Sequence, residues 1–448
     1  MQAINFVARR KRLMQWMGPN SVAILPASSE KIRSHDVHYH FRQDNDFWYL
    51  TGFAEPEAVA VLIPGRKHGE FILFNREKDK TQEIWHGLRL GQDAAIEELG
   101  ADDAFPINDI DDILPGLMEG RERIYFALGM NPDFDQKVME WRNQIQAQVK
   151  RGAEPPGEMV DLRHHLHEMR LIKSAAEIQR MRYAAKTSAK AHCALMQACE
   201  PGLKELDMEA ELQYHYAKNG CRFAAYPSIV AAGDNANILH YVENSGELTD
   251  GELLLTDAGC EFEHYASDIT RTIPINGAFN KEQAALYDIV LEAQLKAIEM
   301  IKPGNHWNQI HDAAVRVITQ GLIDLKILKG SLESLIERGA YRDFYMHKTG
   351  HWIGLDVHDV GDYQVHGQPR VLESGMVLTV EPGLYIAKDN TKAAKKWRGI
   401  GIRIEDDILV TKKGYDILSK DVPKTREDIE ALMSKGTNKD KSKNKSKK

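Results

Sequence analysis

The sequence predicts two domains: an N-terminal mixed α/β domain, then a C-terminal domain of helices packed on one face of a largely antiparallel sheet. Three observations lead there. The chain has 448 residues, more than one ordinary core accommodates. In its first third, short apolar runs alternate with helical stretches, the pattern of a mixed α/β domain. Further on, pairs of long amphipathic helices alternate with groups of strands, twice over, and no tandem repeat is visible.

From the N-terminus, Asn5–Met17 has the periodicity of a basic amphipathic helix, with Phe6, Leu13, Trp16 and Met17 as its apolar residues. Ser21–Ala27, Ala58–Pro64, Glu70–Arg76 and Arg123–Leu128 are strand-like apolar runs. The aromatic-rich segment Phe41–Phe53 lies between the first two and ends at a glycine turn. Glu83–Gly91 leads into a helix near Asp93–Leu99, and Asp135–Lys150 is a helical run. His35, His38 and His40 have only Asp36 among them, no cysteine, and read as polar loop residues. The segment Arg151–Ser174 contains a Pro-Pro-Gly turn and reads as the domain boundary, with His164, His165 and His167 as surface or hinge residues.

In the second domain, a helix is expected over Ala175–Ala198, stopped by Pro201-Gly202, and another over Glu205–Asn219. Strand-and-loop segments follow: FAAYPSIVAAGDNANILHY, with His240 near its end, and GELLLTDAGCEF. Two more helices, Lys281–Ile301 and Trp307–Gln320, precede a remainder of strand and loop. The stretch KGTNKDKSKNKSKK has almost no apolar residue, and a disordered tail is expected there. The division is thus 1–172, 173–434 and a lysine-rich tail at 435–448.

Composition narrows the function classes. The chain is 43% hydrophobic and 28% charged, with a net charge of -8, which argues against nucleic acid as main partner. No apolar run reaches the roughly 18–20 residues that span a bilayer, and the N-terminal stretch has no secretory core. A cytoplasmic protein without a membrane partner is expected. Cys193, Cys199, Cys221 and Cys260 form no CxxC pair and read as small hydrophobes.

Chemistry concentrates in four places. Met346–Asp359 reads MHKTGHWIGLDVHD and carries His347, His351 and His358. Upstream, Asp257 closes the run LLLTD, and Asp268 follows in a D-x10-D spacing. Downstream, Glu381 ends MVLTVE before Pro382, and Glu405 lies within the apolar run IRIEDDILV. One acid at the end of an apolar strand is an ordinary turn residue. Four on separate strands of one domain need compensation, because buried carboxylates must be paired or bound to metal. Four carboxylates and one imidazole balance two divalent cations, with Mn²⁺ first and Co²⁺, Zn²⁺ or Fe²⁺ as alternatives. Two such ions about 3.5 Å apart can lower the pKa of a shared water and polarise a carbonyl. Hydrolysis without a covalent intermediate is implied. No nucleophile elbow, HExxH or P-loop is present.

With these residues assembled, the chain resembles the pita-bread (creatinase/aminopeptidase) metallopeptidases, and among them bacterial aminopeptidase P. RQDNDFWYLTGF, EIWHGLRLG, DAGCEFEHYASDITRTIPI, HWIGLDVHDVG, MVLTVEPGLYI and RGIGIRIEDDILVT carry the resemblance, which runs to about Met433. It implies a curved antiparallel sheet in the C-terminal domain and release of the first residue from peptides with proline in second position. It implies Asp257, Asp268, His351, Glu381 and Glu405 as metal ligands, with Asp268 and Glu405 bridging. Glu381 would also shuttle the proton, His358 would bind the substrate and its tetrahedral intermediate, and His240 would contact the substrate or the leaving nitrogen. Tyr226, His347 and Arg403 would line the substrate pocket. Trp85 would reach a neighbouring subunit's site, within a homodimer or homotetramer. The N-terminal domain would serve oligomerisation and substrate access. Prolidase, which shares the cage but prefers dipeptides, is the nearest rival. A non-catalytic binding module of this fold is expected to lose ligands, and none is lost here. Methionine aminopeptidase is disfavoured by the large N-terminal domain, and creatinase by the complete ligand set.

Overall fold

The computed structural model describes residues 1–445, with the side chains of 436–445 excluded. It divides into two compact units, one of Ala3–Met169 and one of Arg170 onward together with Met1 and Gln2.

The N-terminal unit is built on a six-stranded mixed sheet. Its strands lie in the order Asp103–Pro106, Phe71–Asn75, Val59–Leu62, Ser21–Pro26, Arg123–Phe126, Glu158–Asp161. Pairing is antiparallel in the middle and parallel towards both edges. The central strands are buried on both faces, so they read as continuous apolar runs such as SVAIL and FILF. Leu114 and Met118 from the helix Ile110–Met118 join Val138, Trp141 and Ile145 from Pro132–Gln146 on one face of this core.

The sequence reading misses both edge strands. Asp103–Pro106 and Glu158–Asp161 are short and only partly buried, and their pairing is tertiary. It also misses the helix Ile110–Met118, which has Pro115 inside it. The aromatic segment expected before the first glycine turn contains a helix, Asn45–Thr51. Asp44 caps it by accepting from the Phe47 N–H at 2.8 Å, and Gly52 ends it in the left-handed region at φ 69°. Another short helix, Lys80–His86, precedes Gly91–Leu99.

The second unit is wholly antiparallel in its strand pairing. One three-stranded sheet has Leu253–Asp257 between Thr270–Pro274 and Ile229–Ala232. A second has Asp406–Val410 between Val377–Val380 and Tyr415–Ile417. Gly383–Ile386 pairs with Ile400–Arg403. The helices Ala175–Ala198, Glu205–Lys218, Lys281–Glu299 and Trp307–Asp324 share one apolar core with these strands, through residues such as Leu195, Leu212, Val290, Ile318, Leu254 and Leu378. Their starts are capped: Asn280 accepts from the Gln283 N–H at 2.9 Å, and Gln283 returns the bond at 3.0 Å. This is the fold expected of the C-terminal domain.

The last helix, Arg426–Lys445, runs into the stretch for which disorder is expected. Ile429 and Met433 bury against the core, and the lysines beyond are good helix formers. Residues 446–448 of that expected tail lie outside the described residues. Among the described residues no helix is long and apolar enough to cross a membrane. Cys199, Cys221 and Cys260 are buried and Cys193 is partly exposed.

Candidate metal centre and active site

Strand register assembles the site. Asp257 pairs with Thr270 across the antiparallel ladder, so a chain separation of eleven positions becomes a short step to Asp268. Val380 pairs with Asp406, which sets Glu381 beside Glu405 at the joint between two strands. Glu405 therefore lies between strands, not inside one. The His351 segment joins the same edge: Thr379 N–H donates to the His351 carbonyl at 2.9 Å, and Glu381 N–H donates to the Thr349 carbonyl at 2.7 Å. Two glycines make the close approaches. A Cβ on Gly350 would lie 2.0 Å from the Thr379 carbonyl oxygen, and one on Gly259 would lie 1.8 Å from that of Ser267. No other residue fits either position.

These segments enclose a cavity of about 560 Å³. Asp257, Asp268, His351, Glu381 and Glu405 line it, with His240, His347, His358, Tyr226 and Arg403. Trp85 is elsewhere: it sits on the helix Lys80–His86 of the N-terminal unit, 78% exposed beside exposed Ile84 and Leu88.

The donor set fits a divalent cation. Asp268, His351 and Glu405 each offer a ligand atom, all within 4.8 Å of one another. His351 donates from Nδ1 to the Trp352 carbonyl at 2.9 Å and directs Nε2 at Asp268, 3.4 Å away, and Glu381, 3.7 Å away. Burial lowers its pKa, but those two acids outweigh it and raise it to about 9, so Nε2 holds a proton that a cation would replace, and Nδ1 is already anchored as in a metal-ligating histidine. Burial, then the neighbouring acids, push the Glu405 carboxyl well above its ordinary range. Burial lifts Glu381 to about 7, against the opposing pull of His351 and Arg403. Acids buried this way beside one another are what a bound cation stabilises.

Asp257 and Glu381 stand at the margin of that cluster. Asp257 accepts from Arg403 Nη2 at 2.7 Å and from the Tyr226 hydroxyl at 2.7 Å, and Tyr226 also lies against Asp268. Arg403 is buried and its other donors go to the Tyr385 hydroxyl at 3.0 Å and Thr270 Oγ1 at 3.3 Å. It orients an acid of the cage as well as lining the cavity. His347 is likewise engaged on both nitrogens, with the Lys348 carbonyl at 2.7 Å and Tyr385 Oη at 2.8 Å. Burial, then Arg403, lower its pKa to about 3, so it is neutral. His358 stacks edge-on against His351 with ring centroids 4.4 Å apart.

Sequence reasoning overlooked the residues that hold the acids. Arg271, wholly buried, donates to the Glu405 carbonyl at 2.5 Å and to Asp406 at 2.8 Å. Thr270 donates to Glu405 Oε2 at 2.6 Å, and Tyr385 joins His347 to Arg403. The signal available was a charged residue inside an apolar strand, as in DITRTIP; its partner is visible only in three dimensions.

Comparison with known proteins gives the family. Residues 179–412 match the model of metallopeptidase family M24. Residues 6–125 match the aminopeptidase P N-terminal domain. An Xaa-Pro aminopeptidase of Escherichia coli is 46% identical over 431 residues, 96% of this chain and 97% of that protein. The solved structure of a Pseudomonas aeruginosa aminopeptidase is 58% identical, with a TM-score of 0.97 over 98% of this chain and 100% of that one. E. coli aminopeptidase P with the inhibitor Pro-Leu is 45% identical, with a TM-score of 0.95 over 98% and 100% of the two chains. The chain belongs to metallopeptidase family M24, in its aminopeptidase P group.

Proposed function

We propose that this protein is an Xaa-Pro aminopeptidase, releasing the N-terminal residue from peptides with proline in the second position. The observation that supports it best is the gathering of a cation-binding cluster, Glu381, His240 and His358 around one cavity, in a chain of this family. Asp257, Asp268, His351, Glu381 and Glu405 would hold two divalent ions, with Mn²⁺ our first choice and Co²⁺, Zn²⁺ or Fe²⁺ the alternatives. When bound, the ions supply a water acidic enough to attack a carbonyl at neutral pH.

The chain's own residues do the rest. Glu381 accepts a proton and returns it to the departing nitrogen, a task for a carboxylate that reaches into the cavity. His358 and His240 face the substrate across the cavity. Arg403 and Tyr226 aim Asp257, and His347 and Tyr385 brace Arg403. The proline amide lacks an N–H and its ring fixes φ, so recognition rests on shape. Ile229, Leu239, Val242, Val357 and Tyr363 give the cavity apolar walls for that ring. The N-terminal domain serves oligomerisation and substrate access in a cytoplasmic homodimer or homotetramer, where Trp85 reaches a neighbouring copy's site.

The test is mass spectrometry of Arg-Pro-Pro, Ala-Pro and Ala-Ala-Ala after incubation with the protein and Mn²⁺, beside a chelated control. Chelator-sensitive release of only the first residue of Arg-Pro-Pro is expected. Cleavage of Ala-Pro alone would make the protein a prolidase. No cleavage and no bound metal would make it a binding module.

A further inference from the structure

We infer that Glu205 is a positioning residue for His240, acting as a buried clamp on the loop that carries it. The inference rests on the reading above, in which His240 meets the substrate. Glu205 opens the helix Glu205–Lys218 and is completely buried. An acid in the first turn of a helix ordinarily complements the helix dipole at the surface. Here the carboxylate faces inward and meets four donors, one at the end of the strand Ile229–Ala232 and three from the segment that follows it. Oε1 accepts from the Ala232 N–H at 2.7 Å and Asn235 Nδ2 at 2.8 Å. Oε2 accepts from the Tyr241 hydroxyl at 2.8 Å and the Gly246 N–H at 2.6 Å.

Those donors bracket His240. Ala232 and Asn235 precede it, and Tyr241 and Gly246 follow it. One turn along the same helix, Glu209 accepts from Asn244 Nδ2 at 2.8 Å; Asn244 stands at φ 45°, and its Oδ1 accepts from the Val230 N–H at 3.0 Å. Gly246 is fitted to the clamp: a Cβ there would lie 3.0 Å from the Glu205 carboxyl carbon. His240 itself lines the cavity, yet no hydrogen bond holds its ring among the described residues. Its place is therefore set by its backbone, and its backbone by Glu205. A carboxylate with four donors suits this task because it accepts in every direction; an amide in its place turns one end into a donor aimed at other donors.

The experiment is Glu205→Gln in the full-length, metal-loaded protein, alone and combined with His240→Ala. Displacing a substrate-contacting group by about 1 Å costs on the order of 100-fold in rate. Glu205→Gln should therefore lower kcat/KM for Arg-Pro-Pro by about that factor, with metal content unchanged, and should cost little more once His240 is already Ala. Amide hydrogen exchange should quicken over 232–246 and not over 253–257. Equal losses in both backgrounds, or metal lost in parallel with rate, would overturn the clamp. Tyr241→Phe, which removes one donor and leaves the packing, should give a smaller loss of the same non-additive kind; a loss that adds to that of His240→Ala would also overturn it. If the unmodified protein releases nothing from Arg-Pro-Pro, the aminopeptidase reading fails by itself, and the exchange pattern still decides the clamp.

Discussion

Asp359→Ala should unfasten the segment that carries His358. Asp359 accepts from Arg170 at 2.6 Å and from Lys173 at 2.9 Å, and all three side chains are at most 3% exposed. Its N–H donates to the Trp352 carbonyl at 2.8 Å, closing the loop that begins just after His351. Removing the carboxylate leaves Lys173 without its buried counter-ion, whereas Arg170 keeps Asp356 at 2.7 Å. Breaking a buried pair from one side costs about 3–5 kcal/mol. The surviving partner of Arg170 argues for about 3 kcal/mol, or a fall in Tm of roughly 6–10 °C. Scanning calorimetry of the C-terminal unit's transition, with turnover measured beside it, checks this. A shift within about 1 °C would refute the reasoning, because it would mean that Lys173 finds water or a new partner without cost.

The same ion pairs give a pH signature. Burial alone would raise the Asp359 carboxyl, but Lys173 and Arg170 outweigh it and hold the group below the usual range. A depressed carboxyl contributes stability that is fully present above the unfolded value of about 3.9 and is lost as pH falls through the folded value. Asp359→Asn should flatten the loss of stability below about pH 4, read by urea unfolding at stepped pH; an unchanged slope would contradict it. Glu405→Ala or Asp268→Ala should abolish metal binding and most activity, by metal analysis and peptide assay; near-normal values in either would remove that residue from the cage. His358→Ala should depress kcat far more than metal content, and a parallel fall would make His358 a support of the cage. Gly259→Ala should cost folding yield or metal, since its methyl meets the Ser267 carbonyl oxygen at 1.8 Å; a well-folded, metal-binding variant would show that the two segments can part.

Much of the molecule was legible because its signals are local. An apolar run that ends in an acid, such as LLLTD or MVLTVE, carries its own strand and its own anomaly. The helix Ala175–Ala198 shows its period, and Pro201-Gly202 shows where it stops. What only the tertiary structure decided was register and partnership. Asp257 and Asp268 are neighbours because Leu253 pairs with Pro274 and every later pair follows. Glu381 and Glu405 meet because Val377 pairs with Leu409. The edge strand Asp103–Pro106 exists because Phe71–Asn75 offers it a ladder. Arg403 and Arg271 sit in apolar stretches, and only the fold brings Asp257 and Asp406 to them from other strands. Glu205 marks only a helix start in the sequence, and its four donors lie 27 to 41 residues away. A carboxylate's chemistry is written in its residue type, but its charge, aim and partners are set by whichever strands the fold brings beside it.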